Sequence, residues 1–178
     1  MRLGKDLIGK PIYTISDGRH IGKVKDIYLD RNLYWMTGLH LGREGIIRRK
    51  DNLISREQVV VFGVDAILVR DSEAVTDSKA VDITDWLRLA DLEGRGIDTP
   101  GGTKLAVLGD VILDTEGRIT GFSLAKVTVE GPIAQNRAIG REVVIDNGHE
   151  DGVMTIDLVK AEQQGVRPEN GEEPIAKA

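Results

Sequence analysis

The chain contains no cysteine, so disulfide staples and thiolate metal sites are excluded. Aromatic residues make up only 4%, which leaves an aliphatic core. Val and Ile, prominent among its apolar residues, favour strands. There is no excess of basic charge: 24 Lys and Arg stand against 29 Asp and Glu, a formal net charge of -5. A domain that wraps nucleic acid backbone usually carries a basic surplus, so nucleic acid is disfavoured as a partner. No stretch approaches the roughly 20 apolar residues of a membrane helix, and the first residues lack the apolar run of a signal peptide. These absences point to a cytoplasmic protein with no membrane insertion.

What is present is a chain of 178 residues, 40% hydrophobic and 30% charged, with 21 glycines. That is enough for one domain or two small ones, and the glycine content suits short strands joined by tight turns. The stretch Gly18-Arg19-His20-Ile21-Gly22-Lys23-Val24-Lys25-Asp26-Ile27-Tyr28-Leu29-Asp30 reads as turn, strand, turn. A second version follows as Gly102-Thr103-Lys104-Leu105-Ala106-Val107-Leu108-Gly109-Asp110-Val111-Ile112-Leu113-Asp114. Gly9 and Gly94 are 85 positions apart, as are Arg56 and Arg141. Such an offset, drifting by a residue or two between landmarks, marks a tandem duplication.

Val24, Ile27 and Leu29 are spaced three then two, and so are Leu108, Val111 and Leu113. A regular strand keeps apolar residues on one parity, so this spacing predicts a bulge near Lys25-Asp26 and Gly109-Asp110. Trp35, Leu39 and Leu41 share one parity of the following strand, and Ile46-Ile47 begin another. Ser55 is placed to cap a single helical turn. The expected division is a first unit over residues 1–77, a connector over 78–90, a second unit over 91–160 and a disordered tail over 161–178. Residues 71–78 are polar and expected to be exposed. The tail cannot bury enough apolar surface to order itself.

The landmarks Gly9-Lys10, Asp17-Gly18-Arg19, Gly22-Lys23-Val24-Lys25-Asp26, Leu29-Asp30, Ile46-Ile47-Arg48-Arg49, Ile54-Ser55-Arg56-Glu57 and Gly63-Val64-Asp65-Ala66-Ile67 resemble the PRC-barrel family. The resemblance covers residues 7–69 well and 91–157 less well. In the second copy Thr103 replaces a turn glycine and Val107 stands where Gly22 does. It implies an all-β fold with minor helix: two tandem small antiparallel β-barrels whose superposition should match Asp26 with Asp110 and Gly38 with Gly121. The family includes the cytoplasmic domain of a photosynthetic reaction-centre subunit and the C-terminal domain of a ribosomal RNA maturation factor. Its common theme is protein–protein contact rather than catalysis.

Chemistry-bearing residues give little beyond that. His20, His40 and His149 occupy non-matching positions of the repeat and read as isolated histidines. Asp26, Asp30, Asp110 and Asp114 read as strand-end and bulge devices that accept backbone N–H bonds. Residues 146–152, Asp-Asn-Gly-His-Glu-Asp-Gly, lack the spacing of a calcium loop and read as a hairpin turn. Neither a catalytic set, a metal nor a cofactor is expected.

The candidate interaction residues are Arg48, Arg49 and Lys50, a short basic run, and Trp86, an anomaly in a linker. Trp86 is expected to pack between the two barrels or between two chains of a homodimer. The expected function is a non-catalytic cytoplasmic adaptor or assembly module for an unknown protein partner. The alternative is a ribosome- or RNA-associated maturation or stress factor.

Overall fold

The computed structural model describes residues 1–44 and 50–163. The expected strand start at Ile46-Ile47, the basic pair Arg48-Arg49 and tail residues 164–178 lie outside the described residues. The chain is mostly β. The strands of the first half are β1 (Arg2–Leu3), β2 (Pro11–Thr14), β3 (His20–Lys23), β4 (Asp26–Asp30), β5 (Met36–Glu44), β6 (Lys50–Ser55), β7 (Val59–Phe62), β8 (Ile67–Val69) and β9 (Thr76–Asp77). The remaining strands are β10 (Trp86–Arg88), β11 (Gly96–Asp98), β12 (Lys104–Leu113), β13 (Ile119–Val127), β14 (Ala138–Gly140), β15 (Val144–Asp146) and β16 (Val153–Ile156). Among the described residues, three short helices, α1 (Leu89–Leu92), α2 (Pro132–Asn136) and α3 (Leu158–Gln163), join them.

The strand order repeats. The first half runs β10-β4-β5-β6-β9 in one sheet and β3-β2-β8-β7 in another, and the second runs β14-β13-β12-β11-β16-β15 in one. The two orders agree when β3 and β4 are read as one strand equivalent to β12. Each half closes on a parallel pair, Ile12 opposite Ile67 and Ile97 opposite Met154.

The spacing of apolar residues explains the difference between one strand and two. Between Val24 and Lys25 the chain changes partner: Val24 N–H donates to Lys10 O and Lys25 N–H to His40 O. In β12 the same adjustment is a bulge, where the register passes from Leu108 opposite Leu124 to Asp110 opposite Ser123. The skipped residue is Gly109, and a Cβ there would lie 3.0 Å from Ala125 N. Both devices return Val24, Ile27 and Leu29, and Leu108, Val111 and Leu113, to the core, where all six are buried. Gly38 and Gly121 occupy matching positions, opposite Tyr28 and Ile112 on one side and Ser55 and Gly140 on the other.

The aspartates act on the backbone. Asp26 accepts the Ile27 N–H at 2.8 Å and Asp110 the Val111 N–H at 2.7 Å. Asp30 accepts from Asn32 and Tyr34, and Asp114 from Glu116 and Arg118, so each ties off a hairpin turn. The first turn is one residue longer. Its left-handed position is Leu33 (φ 58) where the second turn has Gly117 (φ 86). A leucine there costs on the order of 1–2 kcal/mol. Leu33 is fully buried, which returns about 1.5–3 kcal/mol.

The halves interlock reciprocally. β1, which leads into the first half, pairs with β12 of the second, and β10, which leads into the second, pairs with β4 of the first. The hairpin tips also meet. Met36 N–H donates to Gly117 O and Ile119 N–H to Tyr34 O, both at 2.8 Å, on either side of a Trp35–Arg118 bridge. Contacts that run from i to j and from j to i are the mark of a two-fold relation. The turn after β1 fits between the sheets: a Cβ on Gly4 would lie 3.0 Å from Ile27 Cδ1 and 2.8 Å from Val111 Cγ2. One contiguous apolar cluster follows, running from Leu7 and Ile12 through Leu89 and Leu92 to Phe122 and Ile156.

Four expectations need correction. Residues 71–78 are not simply exposed: β9 pairs with β6, Ala74 is buried, and Asp71 and Asp77 cap 3-10 turns through the Glu73 and Lys79 N–H groups. Residues 161–163 belong to α3, where Ala161 is buried, rather than to a tail. Trp35 does not face inward with Leu39; it is 39% exposed. Pairing steps from Tyr28–Gly38 to Leu29–Met36, an irregularity that breaks the parity. The helical turn after Ser55 is present as a 3-10 turn, Arg56–Gln58, but the Ser55 side chain makes no capping bond.

Asp110 connects the interlock to pH. Its Oδ2 accepts the Lys5 N–H at 3.0 Å across the halves. Burial pushes its carboxyl above the ordinary value, against the opposing pull of the Lys5 and Val111 N–H groups. The folded chain therefore holds this proton more tightly than the unfolded chain, and stability is lost as pH rises through the folded value. In denaturant melts at pH values rising from about 4, wild type should lose stability relative to Asp110→Asn. A constant difference between the two would contradict this.

Candidate interaction surface

At the tips, the two-fold relation gathers aromatic and arginine side chains from both halves. Arg56 and Arg141, the landmark pair of the repeat, perform the same task in opposite directions. Arg56 Nε donates to Glu116 O at 2.6 Å, and Arg141 Nε donates to Leu33 O at 2.9 Å. Arg141 also donates to Asn32 O at 2.8 Å. Each arginine thus closes the turn of the other half.

Both guanidinium groups lie over rings. Arg56 is 5.1 Å from the Trp35 centroid and Arg141 4.1 Å from the Tyr34 centroid, with Arg118 6.0 Å from Trp35. These distances are within the range of cation–π attraction. Among the described residues none of the three arginines forms an ion pair with a carboxylate. Beside them is a groove of about 520 Å³ walled by Tyr34, Arg118, Ile119, Thr120, Arg141 and Val144. Two acids, Asp114 and Glu142, also line it, and one oxygen of Asp114 is taken by two backbone N–H groups.

Trp86 occupies a different place. It lies on β10 opposite Asp30, half-buried, with its ring 5.6 Å from that of Tyr28. Gly38 makes room for it: a Cβ there would lie 3.2 Å from Trp86 Cζ3. Trp86 therefore helps fasten the strand that leads into the second half onto the sheet of the first. Lys50 is exposed at the start of β6, opposite Glu44, and Arg48 and Arg49 lie outside the described residues. The structure does not bring Lys50 and Trp86 together.

His40 is not an isolated histidine. Its Nε2 lies 2.5 Å from Asp51 Oδ1, and its Nδ1 accepts from Arg88 at 3.0 Å. Arg88 in turn donates from Nε to Asp26 at 3.1 Å. With Nδ1 accepting, the proton of a neutral ring sits on Nε2, facing Asp51. The resulting chain, Asp51–His40–Arg88–Asp26, crosses four strands and clamps β10 against β4. Tyr28 packs edge-on against His40, and its phenol is pushed up by burial and then by the Asp51 carboxylate. His149 contacts the Arg31 guanidinium, and the His20 ring lies tilted against that of Tyr13. Residues 146–152 form the β15–β16 hairpin, where Asp146 and Asn147 bond to the N–H groups of Gly148 and His149. Among the described residues no three His, Asp or Glu side chains converge as a metal site, and no helix is long and apolar enough to cross a membrane.

The sequence reading missed Tyr34, Trp35 and Arg118. The available signal was the repeat itself. Trp35 and Arg118 stand at equivalent positions, and a two-fold relation brings equivalent positions together at its axis. Among known proteins, residues 1–75 match the family model of the PRC-barrel domain. No curated protein matches the chain.

The arginine geometry gives a test. Lysine keeps the charge of Arg141 but loses the planar fork that stacks on Tyr34 and reaches two carbonyls. Net losses of about 0.5–1.5 kcal/mol per bond predict that Arg141→Lys lowers stability by roughly 1–2 kcal/mol in denaturant melts. Arg118→Lys, on an exposed side chain without such bonds, should leave the midpoint nearly unchanged. Equal effects would contradict the clamp.

Proposed function

We propose that the chain, whose residues 1–75 match the PRC-barrel domain model, is two tandem PRC-barrels, the second more divergent, serving as a non-catalytic adaptor or assembly module in the cytoplasm. Its contact surface is the junction of the hairpin tips. One observation carries this reading: Tyr34 and Trp35 are 50% and 39% exposed in a chain with only three tyrosines and two tryptophans.

Trp, Tyr and Arg are the residue types that dominate binding energy at protein interfaces. Here the rings and guanidinium groups are already held in place by stacking and by backbone bonds. Side chains fixed in advance lose less entropy when a partner arrives. The partner is a protein, a second copy of the chain included. Stacked rings and arginines also suit single-stranded RNA, which keeps an RNA-associated role as the second reading. The acidic balance of the chain favours protein.

Affinity capture from native lysate, with and without nuclease, separates these. Wild type should retain a protein set after nuclease treatment, and Tyr34→Ala/Arg118→Glu, two changes at exposed positions, should lose most of it. Capture that disappears with nuclease would favour RNA. Capture unaffected by the double variant would place the surface elsewhere.

A further inference from the structure

We infer that His40 and His149 form an acid-sensitive latch on the segment that joins the two halves: each accepts a hydrogen bond that only a neutral imidazole can accept, and protonation loosens residues 85–88 from the first half. The latch is separate from the junction surface and does not depend on its role.

Arginine donates hydrogen bonds, accepts none and stays charged. A ring nitrogen bonded to an arginine must therefore present its lone pair. His40 Nδ1 accepts from Arg88 of β10 at 3.0 Å. His149 Nε2, in the β15–β16 turn, accepts from the Arg31 guanidinium. A second proton on either ring occupies that lone pair. It removes the bond and sets a positive ring against a guanidinium.

Both contacts bear on one short segment. Arg31 pairs with Asp85 Oδ1 at 3.0 Å, and its backbone N–H donates to Asp85 O at 2.8 Å. Arg88 donates to Asp26 Oδ2 at 3.1 Å. Residues 85–88 are thus held to the first half at each end through an arginine that also leans on a histidine.

The groups around each ring set what protonation moves. Asp51 of β6 faces His40 Nε2 at 2.5 Å, with Arg43 4.0 Å from the same carboxylate. Tyr28 packs edge-on from β4, and Asp26 reaches Arg88. Asp51 retains the His40 ring in either charge state, so the arriving proton displaces Arg88 rather than the histidine. His40 is 5% exposed, and little water is at hand to screen the repulsion. At His149 the facing charge is Arg31, with Asp85 behind it, while Arg95 donates to the neighbouring Asn147 O. Glu150 and Asp151 follow in its own turn.

Amide hydrogen exchange in the full chain tests the latch at about pH 7.5 and about pH 5.5, on either side of ordinary histidine protonation. Rates are taken relative to an unstructured chain at the same pH. The Arg31 amide, bonded to Asp85 O, reports the connector; the Val24 amide, bonded to Lys10 O, reports the first half itself. Arg31 protection should fall roughly tenfold at the lower pH, the worth of one charged hydrogen bond, with Val24 unchanged. In His40→Gln/His149→Gln, whose side-chain amides accept from arginine at either pH, Arg31 protection should stay constant. Wild type alone also decides the matter: the loss at Arg31 should follow the titration of the His40 and His149 rings read by NMR. Arg31 protection that holds while the rings titrate, rings that stay neutral at the lower pH, an equal loss at Val24, or the same loss in a folded double variant would each overturn the inference.

Discussion

The structure depends on the reciprocal contact between its halves. Each half is a unit of a size that hides only about 60% of its unfolded surface, and each leaves a sheet edge open. The edge of β12 is covered by β1 and the edge of β4 by β10. An open edge is both a loss of backbone bonds and an invitation to unwanted pairing. Exchange of the leading strands removes that liability twice within one chain. Gly4, Asp110 and Lys5 show how tightly the exchange is built: the glycine leaves space for Ile27 and Val111, and the buried carboxylate receives the Lys5 N–H.

The same two-fold relation creates the surface. At the axis, equivalent positions of a repeat are forced to be neighbours. Trp35 meets Arg118, and the Arg56 and Arg141 side chains each cross to the opposite turn. Arginines used this way are fixed by carbonyl groups, which leaves their planes and charge on display. A junction that holds the halves together thus also presents rigid, amphipathic groups to solvent. That dual role follows from geometry rather than from any one residue type.

Much of the fold was legible because its devices are local. The three-then-two spacing around Asp26 and Asp110 predicted a bulge in each copy; the second has one at Gly109, whereas in the first the chain changes partner between two separate strands. The aspartates' backbone role was legible from their place at strand ends. The interlock was not legible, because β1 and β10 are two- and three-residue strands whose partners lie in the other half. Trp86 stood out as unusual linker composition, yet its reason is a packing site against Tyr28 beside Gly38. His40 looked isolated because Asp51 and Arg88 reach it only through cross-strand register. Trp35 shares a parity with Leu39 and Leu41, and parity alone does not register the step in pairing that separates it from Leu39.

The most direct measurement is native-state hydrogen exchange at the Met36 and Ile119 amides, the two bonds that join the tips. Core amides such as Ile27 and Val111 report global unfolding. If the halves are one interlocked body, Met36 and Ile119 should exchange with the same free energy and the same denaturant dependence as those core amides. Exchange of Met36 and Ile119 through a low-energy opening, with Ile27 and Val111 still protected, would show two independent units that merely touch.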